Sequence, residues 1–179
     1  MSLFTATLIT GIYLILRGGL FLANPAGLEE KVRAFPRSQT AAYVLCGLGG
    51  AWFLYKISQL GEADFGNYSQ YLMLFFGAVL VGSFLWVRDF LAVRGAAILA
   101  LLISNELLQA AFAHYELPQR LFLVGLIYVW IVIAIYLGTV PYRMRDWIDW
   151  LYHKPRRLRA LALAQLGYGI LLVGVAFSY

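Results

Sequence analysis

Long apolar runs, each about as long as a membrane crossing and parted by short polar breaks, follow one another along the whole chain. A helix needs about 20 mostly apolar residues to cross the hydrocarbon core of a bilayer, because backbone amides surrounded by lipid must bond within their own segment. Six segments reach that length: residues 3–23, 40–58, 68–87, 90–113, 120–140 and 160–178. Turn chemistry marks the breaks, at Asn24-Pro25, Gly61, Gly66-Asn67, Leu117-Pro118, Val140-Pro141 and Lys154-Pro155. The pattern predicts an all-α membrane protein: a six-transmembrane-helix bundle forming one domain over residues 1–179. The third and fourth runs are joined around Arg88-Asp89 by a turn tight enough to make an antiparallel hairpin. The first run lacks a basic leader, is too long for a signal peptide and ends in a poor cleavage site, so it reads as a retained helix.

Two connections carry a pattern of their own. In 26–35, Glu29 and Arg33 are spaced for an i,i+4 pair, with Leu28, Val32 and Phe35 free to touch lipid. In 142–153, Trp147, Trp150 and Leu151 share one helical face and Asp146, Asp149 and His153 another. Tryptophan prefers the headgroup level, so this segment is expected to lie flat on the membrane as a short interfacial helix.

Charge orients the bundle. Lys31, Arg33 and Arg37, then Arg88, then Arg143, Arg145, Lys154, Arg156, Arg157 and Arg159 all fall in alternate connections. Only Lys56 and Arg120 fall on the opposite side, where the loop Gly61-Glu62-Ala63-Asp64 is acidic. The positive-inside rule then puts both termini outside (N-out/C-out) and the basic connections in the cytoplasm. The net charge of +5 is spent on topology and on anionic lipid met by Arg156, Arg157 and Arg159. It does not speak for nucleic acid, since no soluble domain is present to carry a binding face.

With 62% hydrophobic residues and 13% charged, little polar sequence remains for chemistry. Cys46 is the single cysteine, which excludes an intrachain disulfide and a multi-thiolate metal site. His114 and His153 are the only histidines and lie at span ends or outside, so paired axial ligands for haem are missing. No P-loop, dinucleotide fingerprint, HExxH or Ser/His/Asp set occurs, and every aspartate lies outside the spans. No cofactor is expected, and catalysis is less favoured than a non-enzymatic role.

The fourth run is the exception. It holds Arg94, Ser104, Asn105, Glu106 and Gln109. Glu106 is the one acidic residue well inside a span, and an ionised carboxylate facing lipid costs several kcal/mol, so it must turn inward, find a donor or stay protonated. Asn105 and Gln109 are placed to assist it, and His114 to extend a polar track outward. Two readings stay open: a proton- or cation-binding site on a transport path, or an interhelical hydrogen-bond post. Arg94 and its counterpart Arg17 sit within about two turns of the cytoplasmic interface and can snorkel to it.

Small residues at four-residue spacing supply candidate helix contacts: Gly47/Ala51, Ala78/Gly82, Ala92/Ala96 and Ala96/Ala100, with Gly167, Gly169 and Gly174 in the last run. A faint repeat aligns Leu14-Ile15-Leu16-Arg17-Gly18-Gly19 with Leu91-Ala92-Val93-Arg94-Gly95-Ala96, and Gly77 and Gly82 with Gly169 and Gly174. An inverted repeat should put Arg17 and Arg94 on opposite sides, whereas both fall near the cytoplasm.

The stretches Arg33-Ala-Phe-Pro-Arg-Ser38, Val87-Arg-Asp-Phe-Leu-Ala-Val-Arg-Gly95 and Pro141-Tyr-Arg-Met-Arg-Asp-Trp-Ile-Asp149 resemble those of uncharacterised bacterial six-span integral membrane proteins. The resemblance implies a bacterial inner membrane and brings no activity or site residues with it. The expected role is that of a small inner-membrane protein acting through helix contacts, as a homo-oligomer or an accessory subunit of a membrane complex. The alternative is a small transporter or channel with Glu106 on its path.

Overall fold

The computed structural model describes residues 1–87 and 89–179; Arg88, expected in the tight turn, lies outside them. Among the described residues the chain is helical and has no strand. The helices are α1 (Leu3–Ala23), α2 (Leu28–Ala34), α3 (Gln39–Ser58), α4 (Ser69–Trp86), α5 (Leu91–Ala111), α6 (Arg120–Thr139), α7 (Arg143–Tyr152) and α8 (Pro155–Ala176). Five stretches are long and apolar enough to cross a membrane: α1, α4 with the 3-10 turn before it (Gly66–Trp86), α5, α6 and α8. Their surfaces fit that role, since large apolar side chains such as Leu16, Leu74 and Trp86 are 67%, 73% and 83% exposed.

Local chemistry sets the ends. Ser2 caps α1 by accepting from the Thr5 amide at 3.2 Å, and Ser38 caps α3 by accepting from the Ala41 amide at 3.2 Å. Asn24 closes α1 in the left-handed region, at φ 38°, a conformation asparagine tolerates. The last helix corrects the expected boundary, because it starts at Pro155 and not near residue 160. Proline is preorganised for a first helical position, where its missing amide hydrogen loses nothing. Arg156, Arg157 and Arg159 therefore belong to the opening turns of α8 and not to a surface segment.

The described residues gather into two compact units, the first made of Met1–Arg33, Ile103–Ile133 and Arg145–Tyr179. Its axis is the antiparallel pair α1 and α8. Leu158, Ala162, Gln165, Gly169, Leu172 and Ala176 form a seam at alternating four- and three-residue steps, the 3.5-residue period of helices that pack along their length. The backbones come close where the seam carries its smallest residues. A Cβ on Gly11 would stand 2.9 Å from the Gly169 carbonyl oxygen, one on Gly18 2.8 Å from that of Ala162, and one on Gly169 2.8 Å from that of Gly11. Leu3, Leu14, Leu107, Ala110, Leu123, Ile127 and Leu172 complete the core, and the Tyr168 hydroxyl donates to the Phe122 carbonyl at 2.9 Å.

The second unit is Ala34–Leu102 with Ala134–Met144. Here α3 is the central helix and presents its small residues inward: Ala42, Cys46, Gly49 and Gly50 are buried. A Cβ on Gly95 of α5 would lie 2.6 Å from the Cys46 nitrogen, and one on Gly50 would strike Leu80 of α4 at 2.5 Å. Of the small pairs read from spacing alone, Ala92 of Ala92/Ala96 is buried against α3, whereas Gly47/Ala51 and Ala78/Gly82 are not in use. Gly47 faces open space, Ala51 and Ala78 are exposed, and Gly82 meets only the ring of Trp86 on its own helix. No residue of α4 is buried, so this apolar helix shows most of its surface to its surroundings.

Gly167 and Gly169, two residues apart on α8, give opposite predictions. Gly169→Ala drives a methyl into backbone and is expected to destabilise by about 1–3 kcal/mol. Gly167→Ala, with nothing within 4 Å, is expected to gain up to about 1 kcal/mol of helix propensity. Thermal unfolding of both variants in one detergent, followed by circular dichroism, checks the pair.

Candidate functional site

The polar positions of α5 do not point one way. Ser104 is fully buried, Glu106 is half-buried, and Asn105 and Gln109 are exposed. Asn105 and Gln109 stand one turn apart on an outward stripe that continues to Phe112, which is 71% exposed. Neither amide side chain makes a hydrogen bond among the described residues. The expectation that they assist Glu106 is thus answered by a helix that turns both outward while Glu106 is half-covered. His114, expected to extend a polar track outward, lies beyond the end of α5 at 3.6 Å from Glu116, its own neighbour in the connection.

The two arginines within membrane-length helices, Arg17 of α1 and Arg94 of α5, differ. Arg17 is exposed and lies over the Phe21 ring at 5.5 Å, one turn towards the end of α1, as a snorkelling side chain does. Arg94 is half-buried in the second unit.

A second polar assembly forms where α2, α7 and the start of α8 meet in the first unit. Arg33 donates from Nε to Glu29 at 2.8 Å, the i,i+4 pair expected from spacing, and from Nη1 to Asp149 of α7. It also covers the Tyr152 ring at 5.6 Å. The hydrogen bond to Glu29 first, and the charges of Glu29 and Asp149 after it, raise the Arg33 pKa above its ordinary value. Burial, then the Glu29 carboxylate, pushes the Tyr152 phenol upward.

On α7 the face turned inward is led by buried Ile148, with Leu151 and Tyr152 half-buried. Trp147 and Trp150 are exposed, whereas Leu151, expected on their face, is half-buried. Arg157 donates to the Trp150 carbonyl at 2.9 Å and stacks over its ring at 4.3 Å, closing the end of α7. Arg156 and Arg159 are exposed and make no such bond among the described residues. No group of three or more metal-ligating side chains occurs among the described residues.

Some polar residues were missed by sequence reasoning. Gln165 sits mid-helix in the α8 seam with its Oε1 buried and unbonded among the described residues, as is the Ser104 hydroxyl. A lone glutamine among aliphatics was visible; that the seam would bury it was not, because its start depended on Pro155. Arg120, which counted in the sequence only as a charge on the less basic side, donates to the Ala111 carbonyl at 2.8 Å and stacks on Tyr115 at 4.8 Å, which closes α5 as Arg157 closes α7.

No family model matches the chain, and no curated protein or solved structure matches it either.

Gln165→Leu is expected to stabilise the protein by about 1–3 kcal/mol, because it removes a buried carbonyl that has no donor. A thermal melt against wild type reads this directly, and a lower midpoint would mean that Gln165 has a partner in the membrane. Arg33→Gln is expected to leave the melting midpoint nearly unchanged, since the pair is exposed. It should nevertheless speed hydrogen exchange across residues 28–34 as α2 comes away from α7.

Proposed function

We propose that this chain is a six-crossing bacterial inner-membrane protein, with both termini outside, that works through lateral helix contacts as an oligomer or as an accessory subunit of a membrane complex. The observation that carries the proposal is the outward, unbonded pair Asn105 and Gln109 on a membrane-length helix. In lipid such amides find no water, and side-chain hydrogen bonds to another helix are how membrane proteins satisfy them. Asn105 lies six residues from the end of α5, about 9 Å inside it, deep enough for that argument to apply.

Parity supports the sixth crossing. α1 and α8 run antiparallel, and Thr7 shares a 3.2 Å hydrogen bond with the hydroxyl of Tyr179, so the chain begins and ends at the same face when both helices cross. The number of crossings is then even. The five apolar stretches leave α3, whose 20 residues make a helix of about 30 Å, to supply the sixth. The orientation rests on the basic connections.

The transport reading has one supporting observation, the half-buried carboxyl of Glu106. Against it, the two cavities described below are lined by residues of the second unit, and Glu106, Asn105 and Gln109 border neither of them.

The test is association in lipid. Fluorescently labelled protein in liposomes should show energy transfer between copies, or co-purify with a membrane subunit in mild detergent. Asn105→Leu with Gln109→Leu should weaken that association about tenfold, in line with roughly 0.6–2 kcal/mol per interhelical polar contact. A wild type that stays monomeric and alone, or a double variant that associates as before, overturns the proposal. A pH-dependent ion flux that Glu106→Gln abolishes would favour transport instead.

A further inference from the structure

The second unit holds a cavity of about 150 Å³ at the end where α3 begins, α4 finishes and α5 begins. In the topology proposed above, this is the cytoplasmic headgroup level. The cavity is amphipathic. Tyr43 and Phe84, stacked with ring centroids 5.5 Å apart, form one wall, and Phe90 belongs to another. Two opposite charges line the same space, Arg37 and Asp89. Both side chains are exposed, and among the described residues neither is paired with the other or with a third charge. Arg37 is held over the Phe90 ring at 5.7 Å. Phe90 itself sits in the left-handed region, at φ 56°, an unusual conformation for an aromatic residue.

We propose that this cavity binds the phosphate–ammonium group of an ethanolamine phospholipid, with Arg37 taking the phosphate and Asp89 the primary ammonium. An anion alone would satisfy Arg37 and meet repulsion from Asp89; a cation alone would do the reverse. A ligand that carries both charges a few bonds apart answers both residues. Guanidinium is the side chain best shaped for phosphate oxygens, and a carboxylate accepts from an ammonium that still has its hydrogens. A trimethylated ammonium has no hydrogen to donate and calls for aromatic faces turned towards it, whereas Tyr43 and Phe84 turn theirs to each other.

Size and place point to a lipid-borne group. Pockets that enclose a whole drug-sized molecule measure about 300–1,000 Å³. A hollow of about 150 Å³ admits a headgroup and leaves the acyl chains outside. Beside it, Asp89 and Phe90 also border a wider hollow of about 490 Å³ that runs past Leu85, Trp86 and Arg94, where the apolar end of α4 offers a surface for chains. The ligand is therefore expected to enter sideways from the leaflet.

The experiment uses the full chain in nanodiscs of equal parts phosphatidylethanolamine, phosphatidylcholine and phosphatidylglycerol, extracted and examined by native mass spectrometry. Wild type should retain at least ten times as much phosphatidylethanolamine as either of the other two lipids. Asp89→Asn should abolish that preference while keeping phospholipid binding, and Arg37→Gln should weaken retention of phosphatidylethanolamine about tenfold. Both changes are at exposed positions, Asp89→Asn is isosteric, and circular dichroism melts identify a variant that has not folded. As a third variant, Lys31→Gln removes an exposed charge outside the cavity and should retain phosphatidylethanolamine like wild type. Soluble O-phosphoethanolamine, added up to millimolar concentration, should displace the lipid weakly; displacement at micromolar concentration would keep the chemistry and reassign its source to a free metabolite. Equal retention of all three lipids by wild type, or unchanged selectivity in Asp89→Asn, overturns the proposal.

Discussion

The contact between the backbones of α1 and α8 is the constraint from which the first unit is built. Lipid chains are as apolar as leucine, so burying aliphatic surface does little to hold two helices together in a bilayer. What remains is close packing, and it is strongest where nothing stands between the main chains. Gly11 and Gly18 on one helix and Ala162 and Gly169 on the other, each pair seven residues apart, meet in antiparallel register. Sliding either helix by one residue would put a side chain against a carbonyl. The register in turn brings Thr7 to Tyr179 and turns Leu14 and Leu172 into the core that the nearby stretches of α5 and α6 complete.

The second unit uses the same device at a different expense. α3 approaches α4 and α5 through Ala42, Cys46, Gly49 and Gly50, and each of these small residues takes the place of an aliphatic side chain. Tyr43, Tyr55 and Lys56 dilute the helix further. That is why a 20-residue helix with the length to cross a membrane is less apolar than the other five stretches. Ala42 and Ala92 lie at the mouth end of the same contact and also border the hollow beside Arg37. Close approach lower down and an open space at the end have one origin, the smallness of the residues between the helices.

Much of this was legible in the chain. Apolar length and turn residues located the long helices to within a few positions, because both signals act on the backbone where they occur. The start of α8 was missed by five residues, since the arginines after Pro155 read as a solvated segment until proline is recognised as a helix opener. The glycines that matter were harder. Gly47 and Gly49 are alike in sequence, and only the direction of α3 relative to its neighbours leaves one facing open space and packs the other tightly against Ile98 of α5. The repeat shows the same limit: Gly18 and Gly95, aligned by their Arg-Gly motif, both meet another helix closely, while Gly77 faces open space and Gly169, its aligned partner, does not. Polarity on α5 suggested one cluster, but a helix distributes adjacent residues about 100° apart, so Asn105 and Glu106 were bound to diverge. Which of them would be covered depends on neighbours that periodicity does not describe.

Arginine at the helix ends connects local structure to topology. Arg120 opens α6 and closes α5; Arg157 lies in the first turn of α8 and closes α7. Each donates to a carbonyl left without an intrahelical donor and covers an aromatic ring close to that helix end, Tyr115 just beyond α5 and Trp150 in the last turn of α7, so a positive charge at an unfavourable helix start is offset by the helix end beside it. Such residues are poor witnesses to orientation, because capping demands them on either side of a membrane. Setting both aside removes one basic residue from each face. Lys56 is then alone on one side, and the remaining arginines and lysines of the alternate connections stand on the other. The asymmetry behind the proposed orientation therefore comes from residues that the helix ends do not require, which is the part of the charge pattern that a membrane potential and an anionic leaflet can read.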